Sequence, residues 1–330
     1  MTIKTRRQVL VDAAALGLSL VASGTLRAQQ ARHSKLVLLG TQGGPNIRLQ
    51  RSETASVVVA DDVPYLIDCG YGTMRALVAA GIQYRDVANV FITHLHDDHV
   101  ADIPALMSHQ WTGGRVKATD IYGPYGTADM VRAAIEFQKA NTEIRIVDEA
   151  RSVRPETMFH GHDVRATAAA EAVFKDQRVK VSSVENTHFP EESKQKMPYR
   201  SIAYRVDCAD RSLVFAGDTA YSANLVKLAK GADLLVCEAM ELATTRSNFE
   251  RRVAAGEYQD NPEGIWRHIE GTHSRLEVVG RMATEAGVGT VVLNHLVPGA
   301  LLEIPDSDYI QGVRKTFSGE VILGRDQMVL

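Results

Sequence analysis

The chain has 330 residues, 45% of them hydrophobic, with 37 basic against 40 acidic side chains and a formal charge of −3. That is enough apolar material for one large domain or two ordinary ones. The acidic balance speaks against a general binder of phosphate backbones, which needs clustered Lys and Arg.

The first stretch reads as a targeting signal. Arg6-Arg7 precede a weakly apolar run from Val9 to Ala22 that contains small residues, and Leu26-Arg27-Ala28 then stands before an expected cleavage point. Paired arginines ahead of a modest apolar segment resemble a bacterial twin-arginine (Tat) leader, the alternative being an uncleaved amphipathic helix. On the leader reading residues 1–28 are removed, residues 33–330 form one domain, and the protein is exported folded to the periplasm. Losing Lys4, Arg6, Arg7 and Arg27 with Asp12 takes the body to a formal −6. Beyond this stretch no apolar run approaches the roughly eighteen residues of a membrane span.

Lys35 to Gly40 reads as a strand entering the Gly-rich turn 41–45, and Ser56 to Ala60 and Pro64 to Asp68 as two more around Asp61-Asp62. Gly70 and Gly72 open a helix from Thr73 to Ala80 that stops at Gly81. Val87 to Ile92, almost wholly apolar, reads as a strand buried on both faces, with a helix near Val100 to Met107 after it. Asp120 to Tyr122 is a short strand before a turn and a helix from about Ala128 to Lys139. Partial alternation from Ile144 to Val184 suggests several antiparallel strands, and Glu191 to Met197 a charged, solvated loop. Ile202 to Val206 and Leu213 to Ala216 form a hairpin; a helix (Ser222 to Ala229) and a strand (Leu234 to Cys237) follow. The polar stretch from Thr244 to Glu270 is the least regular and reads as a lid candidate. Arg275 to Ala286 is a helix with Leu276, Val279 and Ala283 on one face, and Val291 to Asn294 is a strand ending at His295. Each half carries both strands and helices, which suits one α+β, four-layer αββα domain better than two separate ones. Cys69, Cys208 and Cys237 have no metal-ligand spacing and read as buried thiols, with one disulfide open in an oxidising compartment.

The chemistry concentrates in Thr93-His94-Leu95-His96-Asp97-Asp98-His99. His94 and His96 are two apart, so extended backbone points them the same way. Asp98 and His99 follow where the chain turns into the next helix. Imidazole and carboxylate together suit zinc and similar borderline ions. His188, Asp218 and His295 each stand at or just after a strand end, and with the first cluster they supply five histidines and two aspartates, enough for two metals.

With these pieces the chain resembles the metallo-β-lactamase superfamily, and within it the ribonuclease Z/arylsulfatase-like branch. The resemblance covers most of residues 35–298. It is carried by Leu39-Gly40-Thr41, Gly43-Gly44-Pro45, Asp68-Cys69-Gly70, the Thr93–His99 core, the 123–127 turn, His188, Gly217-Asp218-Thr219, Glu238 with His273, and Asn294-His295. It implies that His94, His96 and His188 hold one zinc, that Asp98, His99 and His295 hold a second, and that Asp218 bridges. Asp98 also orients the nucleophilic water, and Glu238 with His273 assists protonation of the leaving group. Two zinc ions about 3.5–4 Å apart share a hydroxide, because coordination lowers the pKa of water from about 15.7 to near 7. Tyr221, close to Asp218 in sequence, is a weaker substrate-contact candidate.

Two departures bear on substrate. Asp102 stands where the branch usually has glycine, and His273 is followed by Ser274-Arg275 instead of Ser-Thr. No long Gly/Lys-rich arm of the kind used to hold tRNA is present. The expected activity is hydrolysis of a small ester, a phosphodiester or an aryl sulfate. Carboxyl ester or lactone hydrolysis is the alternative, and a non-catalytic metal-binding or sensing protein the competing class. The expected partners are a small-molecule ester and two zinc ions, with no nucleic acid, no membrane after leader removal, and a homodimer as an open option.

Overall fold

The first strand is buried on both faces, which announces the architecture. In the computed structural model, which describes residues 34–299 and 304–330, Leu36 and Leu38 of β1 (Lys35–Gly40) face one core while Val37 and Leu39 face another. A strand with apolar residues on both sides needs a covering layer on each. The leader assigned to residues 1–28 lies outside the described residues.

The first sheet has the order β1, β2 (Ala55–Ala60), β3 (Val63–Ile67), β4 (Asn89–Phe91), β5 (Thr119–Gly123), β6 (Phe159–Asp163). Its first three strands are antiparallel and the rest parallel. The second sheet contains β7 (Glu171–Lys175), β8 (Val179–Glu185), β9 (Ile202–Cys208), β10 (Ser212–Phe215), β11 (Leu234–Met240), β12 (Thr290–Val297) and β13 (Glu320–Leu323), in the reverse of chain order. Here β7 to β10 are antiparallel and β10 to β13 parallel. The central core joins Leu36, Leu38, Tyr65 and Phe91 of one sheet to Val181, Tyr204, Phe215 and Val292 of the other. Outside the first sheet lie α1 (Thr73–Ala79), α3 (Ile103–Thr112) and α4 (Thr127–Phe137), through Leu77, Leu106, Trp111 and Val131. Outside the second lie α7 (Ala223–Leu228), α10 (Leu276–Ala286) and α11 (Asp306–Arg314), through Leu225, Val279, Ala283 and Val313. The layers run helix, sheet, sheet, helix, as the sequence suggested.

Several local expectations are corrected. The part of the presumed antiparallel block at 144–148 belongs to a helix, α5 (Lys139–Asp148), and β6 extends the first sheet in parallel. Glu191 to Lys196 is a helix, α6, opened by Pro190 and laced by Lys194–Glu191 and Lys196–Glu192 ion pairs. Most of the irregular stretch 244–270 is helical, in α8 (Leu242–Ala254) and α9 (Pro262–Thr272), with 255–261 as the connection. Local signals for both exist: the Glu241 carboxylate accepts from Ala243 N and Thr244 N, and Asn261 Oδ1 accepts from Gly264 N, with Pro262 at the first helical position. Helix formation also begins earlier than expected after β4, in the single turn α2 (Asp97–Val100). All three cysteines are free, with Cys69 and Cys237 buried.

Candidate metal centre

The seven proposed ligands meet at one edge of the sandwich. β4 ends three residues before His94, α2 carries Asp98 and His99, and His188 and Asp218 follow β8 and β10. Here two strands differ from expectation. β11 continues through Glu238 to Met240, and β12 continues through His295 to Val297, so neither residue ends its strand. A register irregularity between Glu238 and Ala239 lets His295 adopt φ 39°, which turns its side chain toward the edge. Asp68, just past β3, is likewise left-handed (φ 58°).

Two histidine environments result. His94, His96 and His188 lie with their donor nitrogens within 4.8 Å of one another. Burial lowers the pKa of His94 well below the usual value, helped by His99 and His188, and burial also lowers His96 and His188. These rings are therefore already neutral, the form that binds a metal. Their tautomers follow from their partners. The Thr93 hydroxyl donates to Asp68 Oδ2 (2.9 Å), so it accepts from His94 Nδ1 (3.2 Å) and leaves His94 Nε2 as a lone pair. Thr272 O accepts from His188 Nδ1 (3.3 Å), which leaves His188 Nε2 facing His96 Nδ1 at 3.2 Å.

Asp98, His99, Asp218 and His295 form the second group. His99 Nδ1 donates to Asp68 Oδ2 (2.9 Å), which orients Nε2 inward. Burial opposes the His99 and His295 protons, but Asp218 and Asp98 outweigh it and hold both pKa values well above normal. Burial equally opposes the Asp98 and Asp218 charges, and the same histidines hold both carboxyls below the usual range. Asp98 Oδ2 is further fixed by Gly44 N (2.9 Å) and lies 3.2 Å from His295 Nε2.

His94 Nε2, His99 Nε2 and Asp218 Oδ1 are buried and form no hydrogen bond among the described residues, although the last two are only 3.3 Å apart. Buried polar atoms left unpaired cost free energy. A nitrogen and oxygen donor set of this kind, orphaned and convergent, fits metal cations and suits zinc.

Glu238 and His273 stand beside the second group. Glu238 Oε1 accepts from Thr219 N (2.5 Å) and Oε2 from His273 Nδ1 (2.7 Å). Burial opposes the His273 proton, but Glu238 and Asp218 raise its pKa above the ordinary value. Tyr221 does not reach the cavity: its hydroxyl donates to Glu285 (2.6 Å) and Arg281 covers its ring. Asp102 has a structural task, accepting from Gly72 N (3.1 Å) and Met74 N (3.0 Å) at the start of α1.

One site residue escaped the sequence reading. His268 on α9 lies with His188 and His273 in a further group of three, its ring 5.1 Å from that of His188. Burial, with His273 and His96, lowers its pKa to about 4. The Thr272 hydroxyl donates to His268 O (2.8 Å), so it accepts from His268 Nδ1 (3.3 Å) and leaves Nε2 as an acceptor. The spacing Ile265, Ile269, Thr272 would have placed His268 on the inward face, had this stretch been read as a helix. The metal groups floor a cavity of about 340 Å³, roofed by α8 and α9.

Comparison with known proteins agrees with this geometry. Residues 64–296 match the family described as "Beta-lactamase superfamily domain". A Ribonuclease Z of Mycobacterium avium is 30% identical over 295 residues, 88% of this chain and 96% of that protein. Among solved structures, the metallo-β-lactamase fold protein YhfI from Bacillus subtilis superposes with TM-score 0.64 at 20% identity, covering 90% of this chain and 98% of that one. Human tRNase Z, short form, gives the same values and so shows the same fold. The names Ribonuclease Z and tRNase Z carry an RNA substrate, against the expectation that nucleic acid is not a partner.

Proposed function

The chain belongs to the β-lactamase superfamily, in its ribonuclease Z branch, and on that premise we propose that it is a dinuclear zinc phosphodiesterase acting on a small ester. The observation that carries the proposal is the convergence of three buried ligand atoms, His94 Nε2, His99 Nε2 and Asp218 Oδ1, none hydrogen-bonded among the described residues, beside the Glu238–His273 pair. His94, His96 and His188 would hold one ion, Asp98, His99 and His295 the other, with Asp218 shared. When bound, such a pair of ions supplies an acidified water and neutralises charge on the attacked ester.

The chain's own groups do the rest. Asp98, fixed by Gly44 N, orients the attacking water. Glu238 locks His273 Nδ1 as a donor, so Nε2 is left to deliver a proton to the leaving oxygen. A cavity of about 340 Å³ is at the small end for ligand sites, which favours a compact substrate over a folded RNA. An aryl sulfate fits the same machinery, and carboxyl esters are the next alternative. The similarity to Ribonuclease Z favours a second reading, an RNA 3′ end threaded into the cavity.

The test is metal analysis of the purified protein together with rates on nitrophenyl phosphodiester, sulfate and acetate esters and on a 3′-extended tRNA. Two zinc equivalents and fastest turnover of the phosphodiester are expected. Faster processing of the tRNA, or a single metal equivalent, would overturn the proposal. Export rests on Arg6-Arg7 and Val9 to Ala22. Replacing both arginines by lysine should retain the protein in the cytoplasm, and unchanged export would refute periplasmic placement.

A further inference from the structure

The metal floor needs no apolar wall, yet this cavity has one. Phe249 of α8 and Ile265 and Ile269 of α9 line it together with Val297 and Pro298. The wall is held in shape: the Phe249 ring stacks on Tyr258 (5.3 Å between centroids, 18°) and packs on Trp266 at 5.4 Å. Arg252 and Arg246 lie over Tyr258 and Trp266 at 4.6 and 4.7 Å. An apolar lining held in this way accepts a flat organic group at little entropic cost.

Two arginines line the same cavity, and they differ. Arg252 is committed, bonding Glu257 through Nε (2.7 Å) and covering Tyr258. Arg48 is half-buried, makes no ion pair among the described residues, and has a buried Nε with no hydrogen-bond partner. Its loop is pinned to the floor, because Gly44 N binds Asp98 and a Cβ on Gly44 would lie 2.3 Å from the Asp98 carboxylate. Arg48 thus lies four residues along the chain from a point fixed against Asp98. A neighbouring cleft of about 390 Å³ is also lined by Arg48, with Arg251 and Arg252 and a single carboxylate, Glu257, which Arg252 already bonds. A guanidinium fork with no partner among the described residues matches, at such a place, a carboxylate or phosphoryl group.

Granting the phosphodiesterase reading above, we propose that the natural substrate carries a flat, aromatic group next to the scissile ester and a second anionic group beyond it. The aromatic group sits between Phe249 and Val297, and Arg48 binds the distal anion. This makes Arg48 a specificity residue that no step of the chemistry uses.

The test is calorimetric binding to the zinc-loaded protein of benzyl(methyl)phosphinates, in which carbon replaces both ester oxygens so that no turnover occurs. The ring carries a para carboxylate, a para phosphonate or a neutral para carboxamide. At least one charged probe should bind about tenfold more tightly than the carboxamide, the gain of one charge-assisted contact. That ratio should fall to about one in Arg48→Ala and be partly kept in Arg48→Lys. Which charged probe wins tells carboxylate from phosphate. Replacing the ring of the better probe by a propyl chain should weaken binding by about tenfold through lost apolar contact. Equal binding of charged and neutral probes, or a preference that survives Arg48→Ala, overturns the proposal. Parallel rates on the matching phosphate esters separate the two readings. Cleavage without charge preference removes only the Arg48 assignment, whereas an Arg48-dependent preference without cleavage removes only the hydrolase reading.

Discussion

The floor and the roof of the cavity are built on opposite principles. The floor is assembled from residues far apart in sequence: His295 and Asp98, 3.2 Å apart, are separated by 197 positions. His94, His99, His188 and Asp218 are almost wholly buried, and Thr93, Asp68 and Glu238 hold ligand or catalytic rings in place. The roof, α8 and α9, is local. Each helix is capped by a residue beside it, few of its residues are buried, and its outer face is carried by neighbours such as Arg246 and Glu250. The difference teaches a division of labour. Long-range, rigid geometry suits the metals and the proton donor, and a locally specified element suits selection of the organic group, because it can vary without moving the floor.

The sharpest way to break that division is at Asp218. Asp218→Ala should lose one or both metals and depress every hydrolytic rate on the order of 10³-fold or more, since one carboxylate serves both groups. Metal content unchanged from the parent would remove Asp218 from the shared position. His273→Ala should slow esters with poor leaving groups by about 10²–10⁴-fold and nitrophenyl esters far less, at parental metal content. Parallel dependence on leaving-group pKa in parent and variant would take His273 out of the donor role. His268 tests the boundary itself, because it stands on the roof but faces His188. His268→Ala should raise KM by roughly 3–10-fold, the loss of one hydrogen bond, with both metals retained. Loss of zinc from that variant would move His268 to the floor.

The smallest effect concerns the support beneath the floor. Burial, reinforced by Asp98 and Asp97, raises the Glu53 carboxyl to about 7, against one contact from Tyr71 N that lowers it. A raised folded pKa means that Glu53 is tolerated while protonated, so this stability is complete below about pH 4.5 and is lost as pH rises through 7. Glu53→Gln in metal-free protein should match the parent at pH 4 and exceed it by about 1–2 kcal/mol at pH 8 in denaturant melts. An equal difference at both pH values would show that charge burial is not the cause.

The metal floor was legible in the chain because metal chemistry admits few residue types at few spacings, and all seven proposed ligands come together. Glu238 and His273 were legible only through resemblance, and their 2.7 Å contact is a tertiary fact. The roof was misread as irregular because its helices are largely polar. Local signals were present in the caps Glu241 and Asn261, in Pro262 and in the Ile265, Ile269, Thr272 spacing of α9. Residues 144–148 were misread because a mixed polar and apolar run alternates by chance as readily as it repeats every three to four positions. The sequence by itself determined the donor set and the strand pattern, since both depend on side-chain chemistry and on which residues must leave water. Only the tertiary structure decided that His268 and Arg48 share one cavity with the metals, that His295 turns inward at a bulge, and that Tyr221 is spent on Glu285. Each of those depends on how the two sheets and the roof helices approach one another, and no spacing along the chain encodes that distance.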